Sequence, residues 1–214
     1  MRISKEKAAE NRAALIRAAS KLFRERGIDG VGVAEISKEA GLTHGALYAH
    51  FASKEELALE ALSYGFEQTQ ARMFASTVDG MPDLDAYLDY YLSVEDRDDY
   101  AARCPMAGAA SEIGRQDRAL SMRFTEGYMV MVRAFERQIA ANRPGSDALE
   151  RAMVVVATMI GSISVARGVA KANPALSEQL LKSARQMLDE LMLATDQAAP
   201  QGAAASDAGS ARAN

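Results

Sequence analysis

Between positions 7 and 26 the apolar residues return at three- and four-residue steps. Leu15, Ile16, Ala19, Leu22 and Phe23 share one stripe, and polar side chains fill the rest of the turn. This spacing predicts a first helix from about Lys7 to Arg26, closed by Gly27, a natural left-handed terminator. After the loop IDGVG a short helix is expected over Val33 to Ala40, with Ile36 and Ala40 facing inward, and Gly41 breaks it. A third helix follows over Thr43 to His50, with Thr43 as N-cap. Ser53, with Glu56 three residues on, is a capping-box pattern that opens a long fourth helix from Lys54 to about Thr77.

Asp79, Gly80 and Pro82 interrupt the pattern. A fifth helix is expected over Leu84 to Ser93, then a polar acidic stretch at 95–99 and a helical segment bent around Pro105. Phe124, Met131, Ala134 and Phe135 mark a long helix from Arg118 to Ala141, and NRPGS reads as a turn. Two more helices follow, Asp147 to Lys171 and, opened by Asn173-Pro174, one ending near Leu193. The remainder has no periodicity and no aromatic residue, so 196–214 is expected as a disordered tail. The pattern is all-α, about nine helices, divided into 1–53, 54–195 and the tail.

Composition agrees: Ala, Leu, Met, Glu and Arg, all good helix formers, are abundant in the 214 residues, and β-branched alternation is missing. Charge adds a gradient. The formal net charge is −4, yet residues 1–54 carry ten Lys and Arg against six Asp and Glu, whereas residues 55–100 carry two against twelve. A locally basic end attracts phosphate even in an acidic protein. A single cysteine, Cys104, excludes an intrachain disulfide. The N-terminus lacks the apolar segment of a signal peptide, and the apolar run 152–166 reads as too short for a membrane span. The expected location is the cytoplasm, with no membrane partner.

The segment VAEISKEAGLTHGALYAHF concentrates the candidate chemistry. Two short helices around a glycine turn cannot bury their own apolar faces, so the first helix must cover them and leave the third free for a DNA major groove. Ala40, Leu42 and Leu47 suit the inside; Thr43, His44, Gly45, Tyr48 and His50 remain outside. His44 is a candidate reader of base edges, Gly45 lets the backbone approach, and the Ala46 methyl suits a thymine methyl. Tyr48, His50 and Lys54 are placed for phosphates. The alternatives are a core aromatic for Tyr48 and a helix C-terminal residue for His50. Two histidines without a Cys/His cluster make no metal site, and no cofactor is expected.

The pieces AALIRAASKLFRERGIDG and VAEISKEAGLTHGALYAHFASKEELALEAL together resemble the TetR family of transcriptional regulators over residues 13–62. The resemblance implies an all-α homodimer that represses transcription and leaves a palindromic operator when a small molecule binds the body. By position it places Gly32, Val33 and Ala34 at the start of the second helix on DNA, residues 43–46 on bases, and Tyr48, His50 and Lys54 on backbone. The chain departs from the family at Val31, Gly32 and Val33, where members often carry Thr or Ser. Ala34 likewise offers no long polar side chain. Base reading is therefore expected to rest on Thr43, His44 and Ala46, with arm contacts from Arg2, Lys5 or Lys7.

In the body, Ala157, Gly161, Ser164 and Ala166, with Leu180, Leu181, Ala184, Met187, Leu188 and Leu191, are expected to supply a dimer interface through the last two long helices. Phe66, Met73, Tyr87, Tyr91, Met106, Phe124, Tyr128, Met131 and Phe135 are candidates for an effector pocket, and equally for a plain core. Glu112 and Arg167 are candidate partners for a polar ligand group. Cys104, beside Arg103, reads either as a small buried residue or as an electrophile or redox sensor. A helical enzyme or metabolite-binding protein is the competing class, but the chain lacks a phosphate loop, a zinc pattern or a nucleophile triad, and no catalysis is expected.

Overall fold

The computed structural model describes residues 4–78, 80–101, 104–143 and 147–193. Arg2, Asp79, Arg103, the turn at 144–146 and the tail 196–214 lie outside the described residues. The elements, in order, are α1 (Lys5–Arg26), α2 (Val33–Glu39), α3 (His44–Tyr48), α4 (Lys54–Met73), β1 (Thr77–Val78), β2 (Met81–Pro82), α5 (Leu84–Tyr91), α6 (Val94–Asp98), α7 (Pro105–Ile113), α8 (Arg118–Asn142), α9 (Ala148–Ala170) and α10 (Pro174–Leu193).

Short polar side chains start most of these helices. Ser4 accepts from the Lys7 amide at 3.1 Å, Asp83 from Ala86 at 3.0 Å and Asp117 from Leu120 at 2.9 Å. At α4 the Ser53 hydroxyl accepts from the Glu56 amide at 3.2 Å, while the Glu56 carboxylate reaches back to the Ala52 amide at 2.6 Å. These local bonds explain three departures from the periodicity. The acidic stretch at 95–99 becomes helix α6 because Ser93 caps it, accepting from Asp96 at 2.9 Å. Pro105 does not bend a helix; it begins α7 at a position where its missing N–H costs nothing. Helix α4 stops at Met73 instead of Thr77, because the β-branched Thr77 and Val78 pair antiparallel with Pro82 and Met81 in a minimal hairpin.

Two apolar clusters form. One joins α1, α2, α3 and the first turns of α4 through Leu15, Ala19, Leu22, Ile36, Leu47, Phe51 and Leu57. The larger one fills the body between α4, α5, α7, α8, α9 and α10. Helix α4 serves both, sending Leu57 and Ala61 to the first and Ala58, Leu62 and Phe66 to the second. The apolar run at 152–166 is the middle of the 23-residue α9, whose mean hydropathy reaches 1.8, so length and composition alone do not exclude a membrane span. What places α9 is packing: it lies against α6, α7, α8 and α10 and buries Val155, Val156, Met159 and Ile163 among them.

Candidate functional site

The α2–α3 pair is held by its apolar sides. Ile36 and Leu47 are fully buried, and Ala40 and Leu42 are half-buried against the same cluster. Between the helices Gly41 takes φ 69°, which lets its N–H donate to Lys38 at 3.0 Å and the Leu42 N–H donate to Ser37 at 2.8 Å. Only a residue free of Cβ strain turns the chain this sharply, and α3 leaves α2 at an angle fixed by it. Phe51, directly after α3, is 1% exposed, and the Arg12 guanidinium lies 5.0 Å from its ring centre.

What faces outward is the expected set. Thr43, His44 and Gly45 are exposed, Ala46 and His50 half-buried, and Tyr48 is 53% exposed, so Tyr48 is not a core aromatic. His44 and Tyr48, one turn apart, meet edge to face with ring centres 5.5 Å apart. Thr43 holds the N-cap position of α3, but its hydroxyl accepts no capping bond and stays available. Gly32 and Ala34 are exposed and Val33 half-buried at the start of α2, where Gly32 offers no side-chain cap. Lys54 opens α4, half-buried. The patch combines hydroxyls, imidazoles and an ammonium with near-bare backbone, a chemistry that meets phosphates and base edges alike.

The basic excess of residues 1–54 is partly consumed inside the unit. Lys7 pairs with Glu10 at 3.0 Å, Arg12 with Glu60 at 2.9 Å, Lys21 with Glu39 at 2.7 Å and Arg26 with Glu35 at 2.7 Å. The hydrogen bond and charge of Lys21 hold the Glu39 carboxyl below its ordinary range, and Glu39 raises Lys21 in return. Both partners are solvent-exposed, so the pair fixes α1 against α2 more than it stabilises the fold. Among the described residues Lys5, Arg17, Lys38 and Lys54 have no such partner, and Lys38 lies exposed near the α2–α3 turn. Sequence spacing does not single out Lys38; its exposed place beside the turn does.

The nine effector candidates separate. Met106, Met131 and Phe135 are close-packed in the core, and Phe66 lies edge-on to Phe124 at 6.5 Å. Tyr128 donates to the Met153 carbonyl at 2.9 Å. Tyr87 and Tyr91 instead border a void of about 10 Å³ between α4, α5 and the start of α7, together with Thr69, Arg72, Tyr90, Asp96 and Cys104. Met73 and Tyr87 also line an open groove of about 380 Å³ outside it. Thr69, Arg72 and Tyr90 carried no signal along the chain beyond their helical spacing to Met73 and Tyr87.

Cys104 is buried, and desolvation pushes its thiol above the ordinary value. Glu112 and Arg167 both line an open cavity of about 600 Å³ between α1 and α7, but each is already engaged within the protomer. The Glu112 carboxylate, buried on α7, accepts from the backbone amides of Ile28 at 2.9 Å and Asp29 at 2.8 Å. Arg167 donates to the carbonyls of Arg97 and Asp96 at 3.0 and 3.1 Å and covers the Tyr100 ring. The first clasps the α1–α2 loop onto the body, and the second fastens α6 onto α9. No group of three or more metal-ligating side chains occurs among the described residues.

The expected dimer residues also divide. Ala166, Leu181 and Leu188 face the protomer's own core. Ser164 donates to the Ala107 and Ile160 carbonyls. Leu180, Ala184 and Leu191 are partly buried against the core. Exposed are Ala157, Gly161 and Met187, joined by Val154, Val165 and Leu176. On α9 the positions 154, 157, 161 and 165 follow helical spacing and form one apolar stripe.

A family model described as bacterial regulatory proteins, tetR family, matches residues 15–61. A transcriptional regulator of helix-turn-helix type from Mycobacterium tuberculosis is 29% identical over 163 residues, 73% of this chain and 84% of the relative. The HTH-type transcriptional regulator TtgR of Pseudomonas putida is 42% identical over 69 residues, 32% of each chain. Among solved structures, a TetR transcriptional regulator from Chloroflexus aurantiacus superposes with a TM-score of 0.71 at 27% identity, covering 86% of this chain and 94% of that one.

Proposed function

Since this chain belongs to the TetR family of bacterial regulatory proteins, we propose that it is a sequence-specific DNA-binding transcriptional repressor, working as a homodimer that a small-molecule effector releases from its operator. The carrying observation is the outward face of α3. It gathers Thr43, His44, Gly45 and Ala46 on a short helix whose other side is anchored by the fully buried Leu47. In this reading α3 enters the major groove; Thr43, His44 and Ala46 meet base edges, and Tyr48, His50 and Lys54 hold phosphates. The start of α2, at Gly32, Val33 and Ala34, approaches the backbone closely for want of long side chains. Residues 1–53 act as the DNA-binding unit and residues 54–195 as the effector-binding and dimerising body.

The apolar stripe of α9, with Leu176 and Met187 on α10, supplies the surface for a second copy. An isologous contact there relates two α3 helices by a twofold axis and requires a palindromic operator. The reading of Cys104 as a thiol sensor is the weaker one. A buried thiol with a raised pKa holds little thiolate near neutrality, and thiolate is the reactive form. Selection of random duplexes on the purified protein tests the proposal. An enriched palindrome with half-sites about one helical turn apart, or a multiple of it, is the expected result. Retention of duplexes without any common sequence overturns it.

A further inference from the structure

The void between α4, α5 and the start of α7 is large enough for about one water-sized group, and its wall is mostly ring and methylene surface from side chains that also carry polar groups. Tyr87 is 5% exposed and Tyr91 1%, yet neither hydroxyl has a hydrogen-bond partner. Buried hydroxyls are normally satisfied, and two unmet ones bordering one void are an exception that calls for an occupant. The Tyr91 hydroxyl faces the Cys104 sulfur, a weak acceptor that leaves its donor essentially unused. Thr69 is already engaged, donating to the Gly65 carbonyl at 3.0 Å. Asp96 is faced by Arg167 at 3.9 Å. The void is therefore bordered by two phenolic O–H donors and by Asp96, whose Oδ2 accepts no hydrogen bond, and its wall carries charge of both signs, Arg72 and Asp96.

Donors without acceptors select an acceptor. A carboxylate would meet the Asp96 charge, an ammonium would meet Arg72, and a hydrocarbon would leave both hydroxyls unmet. The outer groove shares Arg72, Tyr87 and Tyr90 with the void and adds Met73, Ala75, Ser76, Asp83 and Ala86, a bed that is mostly apolar in area and carries one further carboxylate. We propose that this void is the polar end of the effector site and takes an uncharged carbonyl-type oxygen at the tip of a flat apolar molecule whose body lies in the outer groove. The proposal rests on the reading of the chain as an effector-released regulator and adds the chemical class of the effector. Occupancy is felt at α7, because Cys104 is both a wall of the void and the N-cap of α7, and the far end of α7 grips the α1–α2 loop through Glu112.

Four probes of similar shape separate the chemistries on the full chain: acetophenone, benzoate, benzylamine and ethylbenzene, with affinities from ligand-observed NMR. The expected result is acetophenone bound about tenfold more tightly than each of the others, the effect of two hydrogen bonds. In Tyr87→Phe/Tyr91→Phe that preference over ethylbenzene falls to about twofold or less, with ethylbenzene unchanged. Both rings are retained, and if the double variant does not fold, each single variant decides by losing about threefold. A charged probe binding best, a preference that survives the Phe substitutions, or no binding at millimolar concentration overturns the proposal. Operator release keeps the two readings apart. A compound that frees selected operator without competing with acetophenone overturns this subsite alone, whereas failure to select any operator overturns the regulator reading while the probe ratios still decide the void.

Discussion

Thr43, His44 and Tyr48 stand on the outward face of a helix of five residues, so each has few neighbours to fix it and much solvent to lose on contact with DNA. His44 meets the Tyr48 ring edge to face on the same side of α3. Replacing it tests whether it reads bases. His44→Ala is expected to weaken the selected operator by about 1–2 kcal/mol while leaving affinity for random duplex almost unchanged in the same salt. Equal loss for both would assign His44 to the backbone. These residues were legible because their types are unusual for a solvated helix. The engagement of Glu112 and Arg167 was not, since a buried carboxylate or guanidinium looks identical to a surface one until the backbone groups it binds are brought near. Cys104 gives a pH prediction. Its folded pKa lies above the ordinary 9.0, so the folded state holds its proton where the unfolded chain releases it. That stabilisation is complete below about pH 9 and is lost as pH rises toward the folded value, and the buried Tyr87 and Tyr91 act in the same direction from their ordinary value upward. The urea midpoint should hold up to about pH 9 and fall above it, less steeply in Cys104→Ala. A midpoint unchanged by pH would show the thiol to be solvated.

At the scale of elements, the long helices were readable from apolar spacing because each packs one face continuously. The short ones were set by single capping bonds. The Ser93 hydroxyl decides α6, and the β-branched Thr77 and Val78 end α4 early; neither is a periodic signal. Besides α4, which packs into both apolar clusters, helix α7 ties the first unit to the body. Its Glu112 carboxylate fills the space beside Gly27, where a built Cβ would come within 2.9 Å of it, and takes two amides of the following loop. Glu112→Ala leaves both amides without their acceptor and is expected to destabilise the fold by about 2–3 kcal/mol. Faster hydrogen exchange should be confined first to Ile28 and Asp29. Exchange that rises evenly over the chain would deny the clasp its local role. On α8, Gly127 meets the Phe66 ring so closely that a Cβ would lie 2.5 Å from it. Gly127→Ala should cost about 1–3 kcal/mol despite the better helix propensity of alanine, read as a lower thermal midpoint. A raised midpoint would mean that the ring yields freely.

For the whole molecule, the apolar stripe of α9 is the surface that one protomer leaves unfinished. Val154 and Val165 are each about half exposed, and Gly161 between them has open space beyond it. Chain-level periodicity could assign α9 and α10 to an interface but not divide their faces, because Ala166 and Leu188 carry the same apolar signal as Val154 and Met187. Burial in the protomer makes that division. Gly161→Arg places a long cation where the protomer has room and a second copy would not. The variant should keep its helical content, sediment as a monomer at micromolar concentration and bind operator about 100-fold more weakly, since the two half-sites no longer act together. A dimeric mass for the variant would move the interface elsewhere. The basic end, the exposed α3 face and the proposed twofold pairing all converge on discrimination between DNA sequences, and the direct measure of that is a ratio. The affinity of the purified protein for its selected palindrome, divided by its affinity for a random duplex of equal length in the same physiological salt, is expected to be about 1,000 or more; a ratio near one would contradict the account.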